Sequence, residues 1–171
     1  MTFPLECLVL TIPRKYLQAG IPNSRYPEKN LYDSRLTHHI PTDAVEQWKG
    51  FSCAGSDSKF TDLKTDSGLH AEGKSVKYDK GVILRPSVDV GGGRKFSNEN
   101  LEACFEKNNF YFLYETVSHD ENNLIFNIFW VPIEFIKKWY SLYGSNGIIK
   151  YKNLKMCINS CDIIKVFETR V

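Results

Sequence analysis

The sequence predicts an α+β fold: a mixed, largely antiparallel sheet with two or three short helices, barrel-like closure of the sheet being the alternative. Three observations predict it. Phe110 to Val117 (FYFLYETV) and Leu124 to Val131 (LIFNIFWV) are dense aromatic and β-branched runs joined by the polar turn SHDENN, the pattern of two neighbouring strands near a sheet centre. Between Ser97 and Asn109, Leu101, Cys104 and Phe105 fall at i, i+3 and i+4 behind a serine suited to capping, the pattern of an amphipathic helix. The whole chain of 171 residues is 42% hydrophobic and 25% charged, enough to bury a core without disulfides or metal. Residues 1–171 are read as a single domain with a long polar loop or insertion at 51–80.

The remaining elements follow in order. Leu5 to Ile12 (LECLVLTI) is short, aliphatic and ended by Pro13, which predicts a buried strand. Gly20 to Ile40 is rich in turn residues and predicts a surface loop. Pro41, Thr42 as an N-cap, and Asp43 and Glu46 near the positive end of a helix dipole predict a short helix over Thr42–Trp48, stopped at Gly50. Phe51 to Lys80 keeps no period and reads as loop, with one short strand at Ser75–Tyr78. Val82 to Val90 reads as a strand interrupted by Pro86. After the two central strands, Pro132 opens a helix with Ile133, Ile136 and Tyr140 on one face. GSNG at 144–147 is a turn, Ile148–Ile158 a strand with Lys150, Lys152 and Lys155 outward, and Cys161–Thr169 a last strand.

The net charge of +2 is too small to show nucleic-acid binding by bulk electrostatics and leaves a clustered patch as the route to it. The five cysteines are irregularly spaced without a CxxC pair, which fits a reducing compartment. The opening MTFPLECLVLTIPRKY lacks a basic leader, and no apolar run reaches the length of a membrane span, so a cytoplasmic location and no membrane partner are expected.

Four features could carry chemistry. Gly91, Gly92 and Gly93 let the backbone approach a ligand; they lead through Arg94 and Lys95 into a helix N-terminus, a sensible site for a backbone phosphate. Neither the P-loop nor the dinucleotide fingerprint is present. Metal-assisted nuclease chemistry needs acidic residues and a lysine converging on one site. The candidates are Asp62-Leu63-Lys64, Glu72-Gly73-Lys74 and Asp89, and such triplets also arise by composition in a polar loop. The histidines have no HExxH spacing, and Cys157 with Cys161, read on a strand and turn, need not converge; no metal ligand set is assigned. Basic residues alternate with aromatics at Arg14–Tyr16, Arg25–Tyr32, Lys74–Lys80 around Tyr78, and Lys150–Lys155 around Tyr151. On one face these would neutralise phosphates and stack bases; scattered, they are solvated charge.

The order of strand, SNENLEACFEKN helix, FYFLYETV strand, LIFNIFWVP strand and IEFIKKWY helix resembles the second half of the core in restriction-endonuclease-like proteins. More loosely it resembles the DNA-recognition domains attached to bacterial restriction systems. In the nuclease family the strand before that helix carries an acidic-x-Lys pair, and here that place reads VILRPSVDVGGG. The resemblance therefore implies DNA engagement: a recognition domain of a restriction or defence-type system, fused to or associated with a larger assembly. Phosphates would meet Gly91 to Lys95, and bases would meet Arg25, Tyr26 and Arg35, with Lys64 or Lys74. The alternatives are a magnesium-dependent endonuclease, for which magnesium is the cofactor, and a protein-interaction domain using its aromatic surface.

Overall fold

The computed structural model describes residues 4–13, 34–55, 59–86, 95–119 and 122–170. The elements are β1 (Pro4–Pro13), α1 (Ser34–Lys49), β2 (Ser52–Cys53), β3 (Leu63–Lys64), β4 (His70–Lys77), β5 (Gly81–Ile83) and α2 (Asn98–Lys107). They continue as β6 (Phe110–His119), β7 (Asn123–Pro132), α3 (Ile133–Tyr143), β8 (Ile148–Ile149), α4 (Tyr151–Asn159) and β9 (Asp162–Arg170). The sheet runs β2-β3-β4-β6-β7-β1-β9, with β5 and β8 branching from β4. It is mixed and largely antiparallel, with β4–β6 and β1–β9 the parallel pairs. The sheet is open, so the barrel alternative is wrong, and four helices stand among the described residues where two or three were expected.

Strand alternation sends two sets of side chains to opposite faces. Leu8, Leu10, Ile12, Phe112, Phe126, Ile128 and Trp130 pack with Ile40, Val45 and Phe51 around α1. Leu5, Cys7, Tyr111, Leu113, Phe129 and Val131 pack under α2, α3 and α4 through Leu101, Phe105, Ile136, Trp139 and Leu154. Helices thus cover both faces, and β6 and β7 lie at the middle of the sheet as their apolar density predicts. Among the described residues no helix is long and apolar enough to cross a membrane.

Several boundaries differ from expectation for physical reasons. α1 begins at Ser34 and contains Pro41, so Thr42 is not its cap; the Thr42 hydroxyl donates back to the His38 carbonyl at 2.8 Å instead. Gly50, at φ +71°, ends this helix as predicted. Pro132, expected at the first helical position, is instead the cap of α3, which begins one residue later at Ile133. The basic stretch after Ile149 is α4 and not a strand: Leu154, Cys157 and Ile158 form a buried i, i+3, i+4 stripe, Lys150 and Lys152 are exposed, and Lys155 reaches the Glu115 carboxylate on β6 at 2.8 Å. Of the predicted Val82–Val90 strand, Val82 and Ile83 are paired in β5, which begins at Gly81, and 87–94 lie outside the described residues.

The largest correction concerns 51–80. It is not a loop but holds β2, β3 and the eight-residue β4, which is inserted between β3 and β6. β4 is also the strand that α2 joins to its parallel neighbour, with Glu72 opposite Tyr111 and Lys74 opposite Leu113.

Candidate functional site

The site begins where β3 and β4 part. Leu63 pairs with Ala71 and Lys64 with His70, and the next residue back, Asp62, ends the regular ladder. Its backbone is still held, its N–H donating to Ala71 O at 3.1 Å and its carbonyl accepting from Ala54 N at 2.9 Å. Its carboxylate takes over the role of the missing strand, accepting the Gly73 N–H at Oδ2 over 2.8 Å. That bond places the Asp62 carboxyl beside the residues flanking Gly73.

Those residues are Glu72 and Lys74, which alternate onto the face covered by α2. Glu72 is only 8% exposed. Lys74 Nζ lies 3.8 Å from Glu72 Oε1 and donates to Arg85 O at 3.1 Å. The Asp62 carboxyl acts on Glu72 through its charge and a side-chain hydrogen bond. Burial, and then the Asp62 charge, raise the Glu72 carboxyl well above its ordinary value of 4.5, while Lys74 pulls it back. Cys104 on α2 sits 3.9 Å from Glu72 Oε2, and burial followed by the Glu72 charge pushes its thiol up to about 11. Cys104 is therefore a protonated neighbour of the carboxyl pair and not a nucleophile. The Tyr111 hydroxyl, opposite Glu72, is buried beside the Cys104 thiol.

The Asp62 side is braced by a buried amide. Asn108, 2% exposed at the end of α2, donates from Nδ2 to Phe60 O at 2.7 Å and accepts the Thr61 hydroxyl at Oδ1 over 2.8 Å. Phe60 has φ +71°, a left-handed conformation that costs a non-glycine residue about 1–2 kcal/mol. The amide thus fixes a strained turn two residues before Asp62. Asn109 adds a second clamp, exchanging hydrogen bonds with the His70 backbone at the start of β4. From the α1 side His38 Nδ1 meets Tyr114 Oη at 2.8 Å. Burial lowers the His38 pKa; the charge of Asp62 opposes this and that of Lys74 adds to it.

Glycine is required between Glu72 and Lys74 for packing. A Cβ at Gly73 would sit 2.2 Å from Cζ of the fully buried Phe112 ring. Gly73→Ala is expected to destabilise the protein by about 1–3 kcal/mol through overpacking, and urea unfolding measures this.

The carboxyl pair also predicts a pH dependence. Folded Glu72 keeps a proton that the unfolded chain loses above about 4.5. Stability of the metal-free protein therefore declines as pH rises from there through the raised folded-state value. Glu72→Gln is expected to flatten this decline, read as Tm against pH in chelator.

The donor set fits a small, hard divalent cation. Asp62, half-buried, and Glu72, buried, present carboxylate oxygens, the class of donor that such a cation takes, and Lys74 lies beside Glu72. Among the described residues no three histidine, cysteine or acidic side chains group as a metal site, so the other positions would fall to backbone carbonyls, water and substrate oxygens.

The other candidates divide clearly. Lys64 is exposed on β3 and Lys95 is exposed before α2; neither is brought to the carboxyl pair by a described contact. Asp89, Arg25, Tyr26, Gly91, Gly92, Gly93 and Arg94 lie outside the described residues, as does the side chain of Arg35 in the first turn of α1. Asn108, His38 and Tyr114 escape the sequence reading, since a helix-closing asparagine and a lone histidine have no distinguishing local pattern. Comparison with protein-family models, with curated proteins and with solved structures finds no match.

Proposed function

We propose that the protein is a magnesium-dependent DNA endonuclease of the restriction-endonuclease-like type, with Asp62, Glu72 and Lys74 as its catalytic residues. One observation carries this reading. The acidic-x-Lys pair lies on β4, the strand that α2 connects to its parallel neighbour, and a second carboxylate from Asp62 is hydrogen-bonded onto the intervening glycine. The sequence resemblance implies an acidic-x-Lys pair on the strand before the helix. β5 and the segment after it occupy that place in sequence, but β4 occupies it in space.

The residues have distinct tasks in this reading. Asp62 and Glu72 would hold the cation, which supplies Lewis acidity at the phosphoryl oxygen and a more acidic water. Lys74, kept in place by Arg85 O and Glu72, orients the attacking water and offsets negative charge developing on the phosphorus oxygens. Asn108 and Thr61 hold the Asp62 turn, so the carboxyl pair is preset before substrate arrives.

Incubation with supercoiled plasmid and magnesium tests the reading. Nicked or linear product that a chelator suppresses is expected. DNA that is bound and left intact in both magnesium and manganese would remove the nuclease assignment and leave a recognition domain.

A further inference from the structure

Two of the four basic and aromatic stretches in the sequence meet at one corner of the molecule. Tyr78, in the turn after β4, lies against Tyr151 at the start of α4, with ring centroids 5.3 Å apart and planes at 57°. The backbone enforces the meeting. β5 pairs with both β4 and β8, and Gly81, at φ +78°, runs so close that a Cβ there would stand 2.1 Å from Ile149 O and 2.6 Å from Tyr151 N. Only glycine permits both this conformation and this approach.

The ring brought there is not used as core. Tyr78 is 85% exposed, the most exposed of the large hydrophobic side chains among the described residues. Lys77, Lys80, Lys150 and Lys152 are exposed beside the two tyrosines in sequence, and Asp79 is the acidic residue among them. An aromatic face open to solvent, backed by a second ring and surrounded by cations, suits a polyanion whose bases are free to stack. Bases within a duplex already stack on each other, so the ring selects unpaired ones.

The corner is also connected to the catalytic centre. Tyr78 follows Lys74 by four residues, a path of about 13 Å along an extended chain, or about four stacked nucleotides. Arg85 lies on the return path: its carbonyl accepts from Lys74, its N–H reaches Gly147 O, and its Nε is buried without a protein partner.

Building on the nuclease reading, we propose that Tyr78 on Tyr151, with Lys77, Lys80, Lys150 and Lys152, is a docking platform for single-stranded nucleic acid. It holds the unpaired end or flap of a substrate whose phosphodiester lies at Asp62, Glu72 and Lys74. The substrate class is thus DNA with a single-stranded portion next to the cut.

The test is fluorescence anisotropy with a labelled single-stranded thymidine oligonucleotide and a blunt duplex of equal length, in chelator so that no cleavage occurs. Wild-type protein is expected to bind the single strand. Tyr78→Ala should weaken that binding roughly tenfold or more, with little effect on the duplex, while Tyr78→Phe keeps it. Lys77→Ala with Lys150→Ala should lower its salt dependence. Tyr78 is exposed, so its replacement leaves the fold intact. Unchanged single-strand affinity in Tyr78→Ala, or no single-strand binding by the wild type at low salt, overturns the platform. Binding is read without catalysis, so the two readings fail separately. Tyr78-dependent binding without plasmid cleavage removes the nuclease and keeps the platform, and cleavage with no effect of Tyr78 on binding does the reverse.

Discussion

Glu72→Gln is expected to reduce magnesium-dependent cleavage by about 10²–10³-fold or more, the scale on which loss of one preorganised electrostatic group acts. Asp62→Asn and Lys74→Ala should fall in the same range. Residues acting as one unit are not additive, so the triple variant should be scarcely worse than the singles. The folded state predicts how this loss differs from unfolding. Glu72 is buried with its carboxyl pushed toward the neutral form, and glutamine matches that form in size and shape. Glu72→Gln should therefore match or exceed the wild type in stability at neutral pH. Single-turnover cleavage and urea unfolding on the same preparations separate the two effects. Lost activity with retained stability supports a catalytic carboxyl, and retained activity excludes it.

The second large effect is expected at Asn108. Removing its amide in Asn108→Ala takes the strongest partner from the Phe60 carbonyl and the Thr61 hydroxyl in a buried setting. The unmet polar group and the small void together should cost about 2–3 kcal/mol. The consequence for activity follows from geometry. Phe60 is held at φ +71° with the help of this amide, and Asp62 is two residues further on. Released, the turn relaxes and the Asp62 carboxylate leaves its bond to Gly73 N–H. Cleavage should fall with a rise in the magnesium concentration needed for half-maximal rate. A purely structural residue would lower the active fraction without moving that concentration.

Why some elements were legible in the sequence and others not follows from what each strand does. β1, β6 and β7 bury apolar side chains on both faces, so their composition announces them. α2 declares itself through the Ser97 cap, which accepts from Asn100 N–H, and through Leu101, Cys104 and Phe105. β4, HAEGKSVK, hides for the opposite reason. Its α1 face needs Ala71 and Gly73 because Phe112 fills the space, and its other face carries Glu72 and Lys74 where a structural strand would place apolar residues. These small and charged residues remove the period by which a strand is recognised. β2 and β3 are two residues each, too short for any period. The triplet Glu72-Gly73-Lys74 is visible in the sequence, but its pairing with Asp62 depends on the fork between β3 and β4. In α1 the presence of Pro41 mimics a boundary, and in α4 the spaced lysines mimic a strand although the buried stripe is helical.

Manganese binding, followed by the electron paramagnetic resonance signal of the free ion, tests most directly that Asp62 and Glu72 form a cation-holding nuclease centre. The account predicts a site in the wild type, for which magnesium competes, that is lost or strongly weakened in both Asp62→Asn and Glu72→Gln and kept in Tyr78→Ala. Undiminished binding in the two carboxyl variants, or no binding by the wild-type protein, would contradict it.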